Sequence, residues 1–93
     1  MDNDDKDLGV ISALLDRFNQ QRLPRLLELK KRVDQGAKLT ELDIFHMKEA
    51  MQSVQDISSL VDRHPEYKPL IAQAISLYKE ITSKALENEQ KGQ

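Results

Sequence analysis

The sequence contains no cysteine and no tryptophan, and only four of its 93 residues are aromatic. Without cysteine, the chain can form neither a disulfide bond nor a thiolate metal site, which fits a reducing compartment. No apolar run approaches the roughly 20 residues of a membrane span. The acidic start of the chain is also unlike the basic start of a signal peptide. We therefore expect a soluble, cytoplasmic protein without a membrane segment.

Glycine and proline are also scarce, with three residues of each. Gly9 and Gly36 stand far apart, so the sequence has no glycine-rich loop that would cradle a phosphate group. The serines fall within predicted helices, where no strained turn exposes a nucleophile. We therefore predict no catalytic residue, no cofactor and no small-molecule substrate, and we expect that the protein is not an enzyme.

Apolar residues recur at spacings of three and four in three successive stretches, which is typical of amphipathic helices. The first stretch begins at Leu8 and is interrupted by Pro24, which cannot donate a backbone hydrogen bond. The second follows Thr40, and its side chain is predicted to form a capping box with Asp43. The third starts at Pro69, a residue favoured in the first helical turn. No stretch has the pattern of a strand.

Three helices joined by short connectors predict an all-α fold, an antiparallel up-down-up three-helix bundle. The first helix is expected to kink or split at Pro24, and a complete split would give four helical segments. We assign the bundle to one domain over residues 8–89. Residues 1–7 are acidic and lack apolar periodicity, so they are predicted to form a disordered tail. Residues 90–93 are predicted to fray, with fraying beginning near Asn88.

Charges of opposite sign are concentrated in neighbouring segments of the chain. Residues 17–32 hold six basic residues and one Glu, whereas residues 40–62 hold five acidic residues and one Lys. The two segments should attract each other when they fold side by side. The basic segment still offers an alternative function, the binding of an anionic ligand or nucleic acid. Its candidate residues are Arg22, Arg25, Lys31 and Arg32.

Nucleic acid is nevertheless not the expected partner, because the chain has a net charge of −2 and few aromatic residues for base stacking. Arg22 is the most informative of the basic residues. A straight first helix would carry the apolar seam from Phe18 to position 22 and point this arginine at the core. Three interpretations remain open: a carboxylate site inside the bundle, a device that fixes helix pairing, or a kink that lets Arg22 reach water. The kink is the interpretation that we favour.

Asp43, His46 and Glu49 are the best candidates for a metal site, since their spacing of three places them on a shared helical face. The other helices offer no inward-facing acid to complete such a site. We therefore interpret these residues as a solvated face and predict no metal.

Phe45 falls opposite the apolar stripe of the second helix, among polar and charged residues. Such an aromatic residue can anchor a partner. It can equally pack beneath the loop before Thr40 or against the first helix. Leu42 and Leu60 also lie off the stripe, and Tyr67 sits in the stiff connector between Pro65 and Pro69. These four residues, Phe45, Leu42, Leu60 and Tyr67, are our predicted protein-binding surface.

The leading hypothesis from the sequence is a small protein–protein interaction module, an accessory or regulatory subunit that forms complexes with a partner or a homodimer. It depends on surplus apolar surface in a chain that lacks catalytic groups. No segment matches a motif that carries a known function. The binding of anions through the first helix remains the alternative.

Overall fold

A computed structural model describes residues 3–91 of the chain. All the regular structure in this range is helical, which confirms the all-α prediction. The helices are α1 (Asn3–Arg17), α2 (Leu23–Asp34), α3 (Glu41–Val61) and α4 (Lys68–Lys91). A π-helical segment, Phe18–Arg22, joins α1 to α2, and a short 3-10 turn, Pro65–Tyr67, precedes α4. The first of the three predicted helices is therefore in two pieces, α1 and α2, joined by the π segment next to Pro24. We call α1, the π segment and α2 together the first arm, and it packs with α3 and α4 as a three-helix bundle.

The π segment follows from the position of Pro24. Proline has no backbone N–H, and its ring collides with the carbonyl four residues earlier in a regular α-helix. Here the turn before it widens, and the Leu23 N–H donates to the Phe18 carbonyl, five residues back. The wide turn thus accommodates the proline ring, and the backbone remains helical from α1 through the π segment into α2.

The extra residue of the π segment also keeps the two halves of the arm facing the same core. The buried residues Ile11, Phe18, Leu26 and Val33 follow one another at spacings of seven, eight and seven. In a regular helix, a step of eight residues would rotate the second half by about 80°. The π turn absorbs one residue, so the apolar stripes of α1 and α2 stay aligned.

The connection from α2 to α3 is fixed by caps at both ends. Gly36 has a φ of 100°, and the Ala37 N–H donates to the Arg32 carbonyl at 3.0 Å, as in a Schellman motif. At the start of α3, the Asp43 N–H donates to the Thr40 hydroxyl and the Thr40 N–H donates to the Asp43 carboxylate. This confirms the predicted capping box.

The described residues form a rod of 58 × 20 × 16 Å. Helix α4 packs against α2 and α3, whereas α1 packs against α3 but not against α4. One continuous core runs along the rod. Its buried residues are Ile11, Phe18, Leu26, Leu29, Val33, Met47, Ala50, Val54, Ile57, Val61, Ile81 and Ala85. In the described range, no helix combines the length and the apolar character that a membrane crossing requires.

Both ends of the bundle differ from the sequence-based expectation. Helix α1 begins at Asn3, so residues 3–7, predicted to be disordered, are helical. Acidic residues near a helix N-terminus interact favourably with the helix dipole. In addition, Asp7 lies 3.5 Å from the Arg63 guanidinium. Residues 1–2 of the predicted tail lie outside the described residues.

At the other end, α4 continues to Lys91, and Asn88 is buried instead of frayed. The Asn88 side-chain amide donates to the carbonyls of Val33 and Ala37 at 2.8 and 2.7 Å. These two hydrogen bonds tie α4 to the end of α2, which explains why the helix stays ordered there. Of the predicted frayed terminus, residues 92–93 lie outside the described residues.

Candidate functional site

Three basic residues predicted to bind anions are engaged within the bundle. Along the edge where α2 meets α3, Arg22 pairs with Glu49, and Arg32 pairs with Asp43. Between them, the Arg25 guanidinium lies 3.0 Å from Nε2 of His46. We call these three pairs the arginine ladder. The ladder joins the basic segment, residues 17–32, to the acidic segment, residues 40–62, as the charge distribution predicts.

Asp43 is the most buried member of the arginine ladder, with only 9% of its side chain exposed. Its carboxylate accepts two hydrogen bonds from Arg32, at 2.7 and 3.3 Å, and one from the Thr40 backbone N–H. The bonds from Arg32 are the main reason why the pKa of Asp43 is lowered, and burial opposes them. The same pairing raises the pKa of Arg32. Asp43 therefore remains ionised and holds α2 against α3 at neutral pH.

The expectation of a solvated face at Asp43, His46 and Glu49 is wrong for Asp43, which is buried. An arginine can only donate a hydrogen bond, so Nε2 of His46 must accept from Arg25. Nδ1 of His46 then faces Glu49 at 3.8 Å. His46 and Glu49 therefore lie opposite Arg25 of α2 and Arg22 of the π segment. Among the side chains that the structure describes, those of residues 6–91, no group of three or more His, Asp or Glu residues is arranged to hold a metal ion.

Arg22 ends at the edge of the core. Leu26 is buried and Leu23 is partly buried, so the core continues beside Arg22 through these two leucines. The Arg22 side chain is 30% exposed, and its guanidinium lies 3.3 Å from the Glu49 carboxylate. Lys31, the fourth predicted anion-binding residue, is exposed. The predicted anion site is therefore a set of internal pairs with one exposed lysine beside it.

The four predicted protein-binding residues do not form one surface. Phe45 and Leu42 are 53% and 62% exposed, and they lie one turn apart near the start of α3. Leu60 and Tyr67 instead pack against the core. Leu60 is 15 residues beyond Phe45, which places it about 22 Å further along the helix. The structure thus leaves a small exposed patch at Leu42 and Phe45.

A concave apolar surface lies where α4 diverges from the first arm. It is a groove of about 260 Å³ between the α1–π junction and the first half of α4, floored by Val54 and Ile57 of α3. We call it the α1–α4 groove. Its lining residues are Leu15, Phe18, Asn19, Leu23, Val54, Ile57, Leu70, Ile71, Gln73, Ala74 and Leu77.

No protein family, curated protein or solved structure gives a significant match to this chain. The function must therefore be argued from the geometry of the chain itself. The two features that require an explanation are the α1–α4 groove and the Leu42–Phe45 patch.

The α1–α4 groove was not predicted from the sequence, although the sequence of α4 contains an indication of it. Leu70, Gln73 and Leu77 follow a second helical stripe beside the core stripe of Ile71, Ala74 and Tyr78. A helix in a three-helix bundle needs only one such stripe to face the core. The surplus stripe indicates an extra apolar face on α4. The depth of the groove depends on the distance between α4 and α1, which the sequence of one helix does not determine.

Proposed function

We propose that this protein is a cytoplasmic protein–protein interaction module, an accessory or regulatory subunit that acts by binding and not by catalysis. The observation that carries the proposal is the α1–α4 groove. Hydrophobic grooves between helices are a recurring site at which proteins bind an amphipathic helix. The residues Leu70 and Leu77 on one wall face Leu15 and Leu23 on the other.

The Leu42–Phe45 patch adds a second contact surface. Phe45 makes an edge-to-face contact with His46, whose ring centre lies 5.7 Å away. His46 is itself held by Arg25. An aromatic side chain has few rotatable bonds and loses little conformational entropy on binding, and aromatic residues are enriched among binding hot spots.

The alternative function, binding of nucleic acid through the basic segment, is less well supported by the geometry. Arg22 and Arg32 already neutralise Glu49 and Asp43, and Arg25 is bound to His46. A nucleic-acid phosphate would have to displace these partners before it could pair with the arginines. Binding of that kind would also weaken steeply as salt rises, which provides a simple test.

The test is a pull-down with the tagged protein from an extract of its own source cells, with and without nuclease. Leu70→Asn changes the groove wall, and Leu86→Asn is its matched control. Both leucines lie on α4 and are similarly exposed, at 46% and 60%, but Leu86 does not line the groove. Phe45→Asn tests the patch in the same way.

The proposal predicts a reproducible, nuclease-resistant partner that is lost with Leu70→Asn or Phe45→Asn and retained with Leu86→Asn. Recovery that disappears on nuclease treatment would instead support the nucleic-acid alternative. A partner that all three variants retain would contradict both surfaces proposed here. Circular dichroism of each variant establishes that the helices are intact.

A further inference from the structure

The α1–α4 groove has the position of a missing helix. The first arm and α4 run in the same direction on either side of α3, since α3 is antiparallel to both. Helix α4 contacts α2 but not α1, so the two walls separate toward the Leu70 end of the groove. A helix seated between two parallel helices, with a third as the floor, completes a four-helix packing.

The lining of the groove selects the chemistry of its occupant. About a third of all residues in the chain are charged, yet none of the groove-lining residues is. The polar lining residues are Asn19 on one wall and Gln73 on the other, and both side chains are neutral. A charged group inside the groove would lose its hydration without gaining a counter-charge. The buried face of the occupant is therefore apolar.

The size of the groove limits how much of a partner it holds. From Leu15 to Leu23 the first wall spans eight residues, or about 12 Å of helix. This length matches two turns of a partner helix. A volume of about 260 Å³ takes two or three aliphatic side chains from such a helix. An interface of this size is typical of transient contacts and is smaller than a stable dimer needs.

The outer edges of the groove are acidic. Asp16 precedes the rim residue Asn19 by three positions, and Glu80 follows Leu77 by three, so each lies next to the groove on its own helix. Both are exposed. Ser12, Gln20, Pro69 and Ser76 are neutral neighbours on the same two helices, and Glu66 adds an acidic residue four positions before Leu70. Lys84 follows Glu80 by four positions, and its ammonium group lies 3.7 Å from the Glu87 carboxylate. Lys30 lies near Glu80, but its ammonium group is bound to Asp34 at 2.7 Å.

We infer that the α1–α4 groove binds one amphipathic helix of a partner protein, through an apolar stripe about two turns long flanked by Lys or Arg. This inference rests on the proposed interaction function and specifies its ligand. The basic flanks of the partner pair with Asp16 and Glu80, and its aliphatic side chains contact Leu70, Leu77 and the floor. The acidic edges give the site its preference among amphipathic helices.

The inference is tested with fluorescein-labelled 16-residue model peptides and the full-length protein. One peptide carries a two-turn leucine stripe flanked by lysines, the second has the same stripe flanked by glutamates, and the third is a scrambled form of the first. Anisotropy titrations at low salt should rank the lysine peptide about tenfold tighter than the glutamate peptide. The scrambled peptide should show no saturable binding.

Two pairs of variants locate the binding. Leu70→Asn should weaken the lysine peptide roughly fivefold or more, because it removes apolar contact area, whereas Leu86→Asn should leave its affinity unchanged. The double variant Asp16→Lys, Glu80→Lys should reverse the preference between the lysine and glutamate peptides. Asp62→Lys, an exposed acidic position away from the groove, is the charge control.

Several results would overturn the inference. Equal affinity for the lysine and glutamate peptides, or binding that Leu70→Asn leaves intact, would do so. Sedimentation that finds a dimer of the unlabelled protein, abolished by Leu70→Asn, would assign the groove to a second copy. If the pull-down partner is lost only with Phe45→Asn, the interaction function stands and the groove inference fails.

Discussion

At the scale of single residues, the charged pairs have a structural role. Asp43 caps α3 through Thr40 and pairs with Arg32 of α2, so one carboxylate fixes both the start of a helix and its neighbour. The sequence predicts the capping box because that motif is local. It does not predict the partner of Asp43, since Arg32 meets it only after the chain reverses at Gly36.

We predict that Asp43 makes stability depend on pH in the acidic range. Because its folded-state pKa is lowered, its contribution is fully present above the unfolded-state pKa of about 4 and is lost as the pH falls through the folded-state value. Urea unfolding of the wild type and of Asp43→Asn should therefore differ most between pH 5 and about 7.

The difference between these two proteins should shrink as the pH is lowered below about 4, because protonation removes the charge of Asp43 in the wild type as well. Asp56→Asn is the control, since Asp56 is exposed and its carboxylate accepts a hydrogen bond from Gln52 of its own helix. A gap between the wild type and Asp43→Asn that stays constant from pH 7 to pH 3 would contradict this account.

Asn88 is a second residue whose role depends on tertiary contacts. Its amide satisfies two carbonyl groups, those of Val33 and Ala37, at the end of α2. Asn88→Ala should lower the free energy of unfolding by about 1–3 kcal/mol, because it removes two hydrogen bonds between α4 and the end of α2. The Val33 carbonyl keeps its bond from the Gly36 N–H, so the Ala37 carbonyl loses more. The neighbouring exposed residue Glu89 provides the control, and Glu89→Ala should change stability by less than about 0.5 kcal/mol.

Equal unfolding midpoints for Asn88→Ala and Glu89→Ala would show that the buried amide contributes little. From the sequence, Asn88 lies in a polar C-terminal stretch that is typical of a fraying helix. Its burial could not be predicted because the carbonyls that it binds are about 50 residues away in the chain.

At the scale of the elements, the π segment joins two helices that would otherwise be out of register. The sequence predicts an interruption at Pro24 but not its form, since a proline can kink, split or widen a helix. The form follows from the spacing of Phe18 and Leu26, which are both buried although they are eight residues apart. Only a turn that absorbs one extra residue keeps both side chains in the core.

We predict that the π segment can be removed by deleting one residue. In a Pro24→Ala background, deletion of the exposed Gln20 should convert the arm to a continuous α-helix with a regular step of seven. This protein should keep the fold and lose less than about 1.5 kcal/mol of stability, because the same side chains remain buried.

Deletion of the exposed Ala13 in the same background is the matched control. It rotates Leu8 and Ile11 by about 100° away from the core. Loss of this burial should cost roughly 3 kcal/mol or more. Chemical denaturation of the two deletion variants should therefore separate them clearly, and equal destabilisation of both would contradict the role assigned to the π segment.

At the scale of the whole molecule, three helices enclose one core and leave an apolar groove on one side. Helix content, the up-down-up order and the capping box follow from local sequence patterns of three to four residues. The exposure of Phe45 was one of two alternatives that these patterns left open. The surplus stripe of α4 indicates an extra apolar face, but the α1–α4 groove itself could not be predicted, because it depends on the separation of α4 from α1.

The proposed function requires that the groove is occupied in the cell. A photo-reactive amino acid placed at position 70 reports what touches the groove, and the same amino acid at position 86 reports the exposed surface of α4 elsewhere. Both positions are exposed leucines of one helix, so the two proteins should fold and express alike.

The most direct measurement is photo-crosslinking of these two proteins in intact source cells, read by mass spectrometry. We predict one dominant crosslinked protein at position 70, mapped to an amphipathic helical segment, and no such product at position 86. Equal products at both positions, or no product at position 70, would contradict the account of this chain as an interaction module with a helix-binding groove.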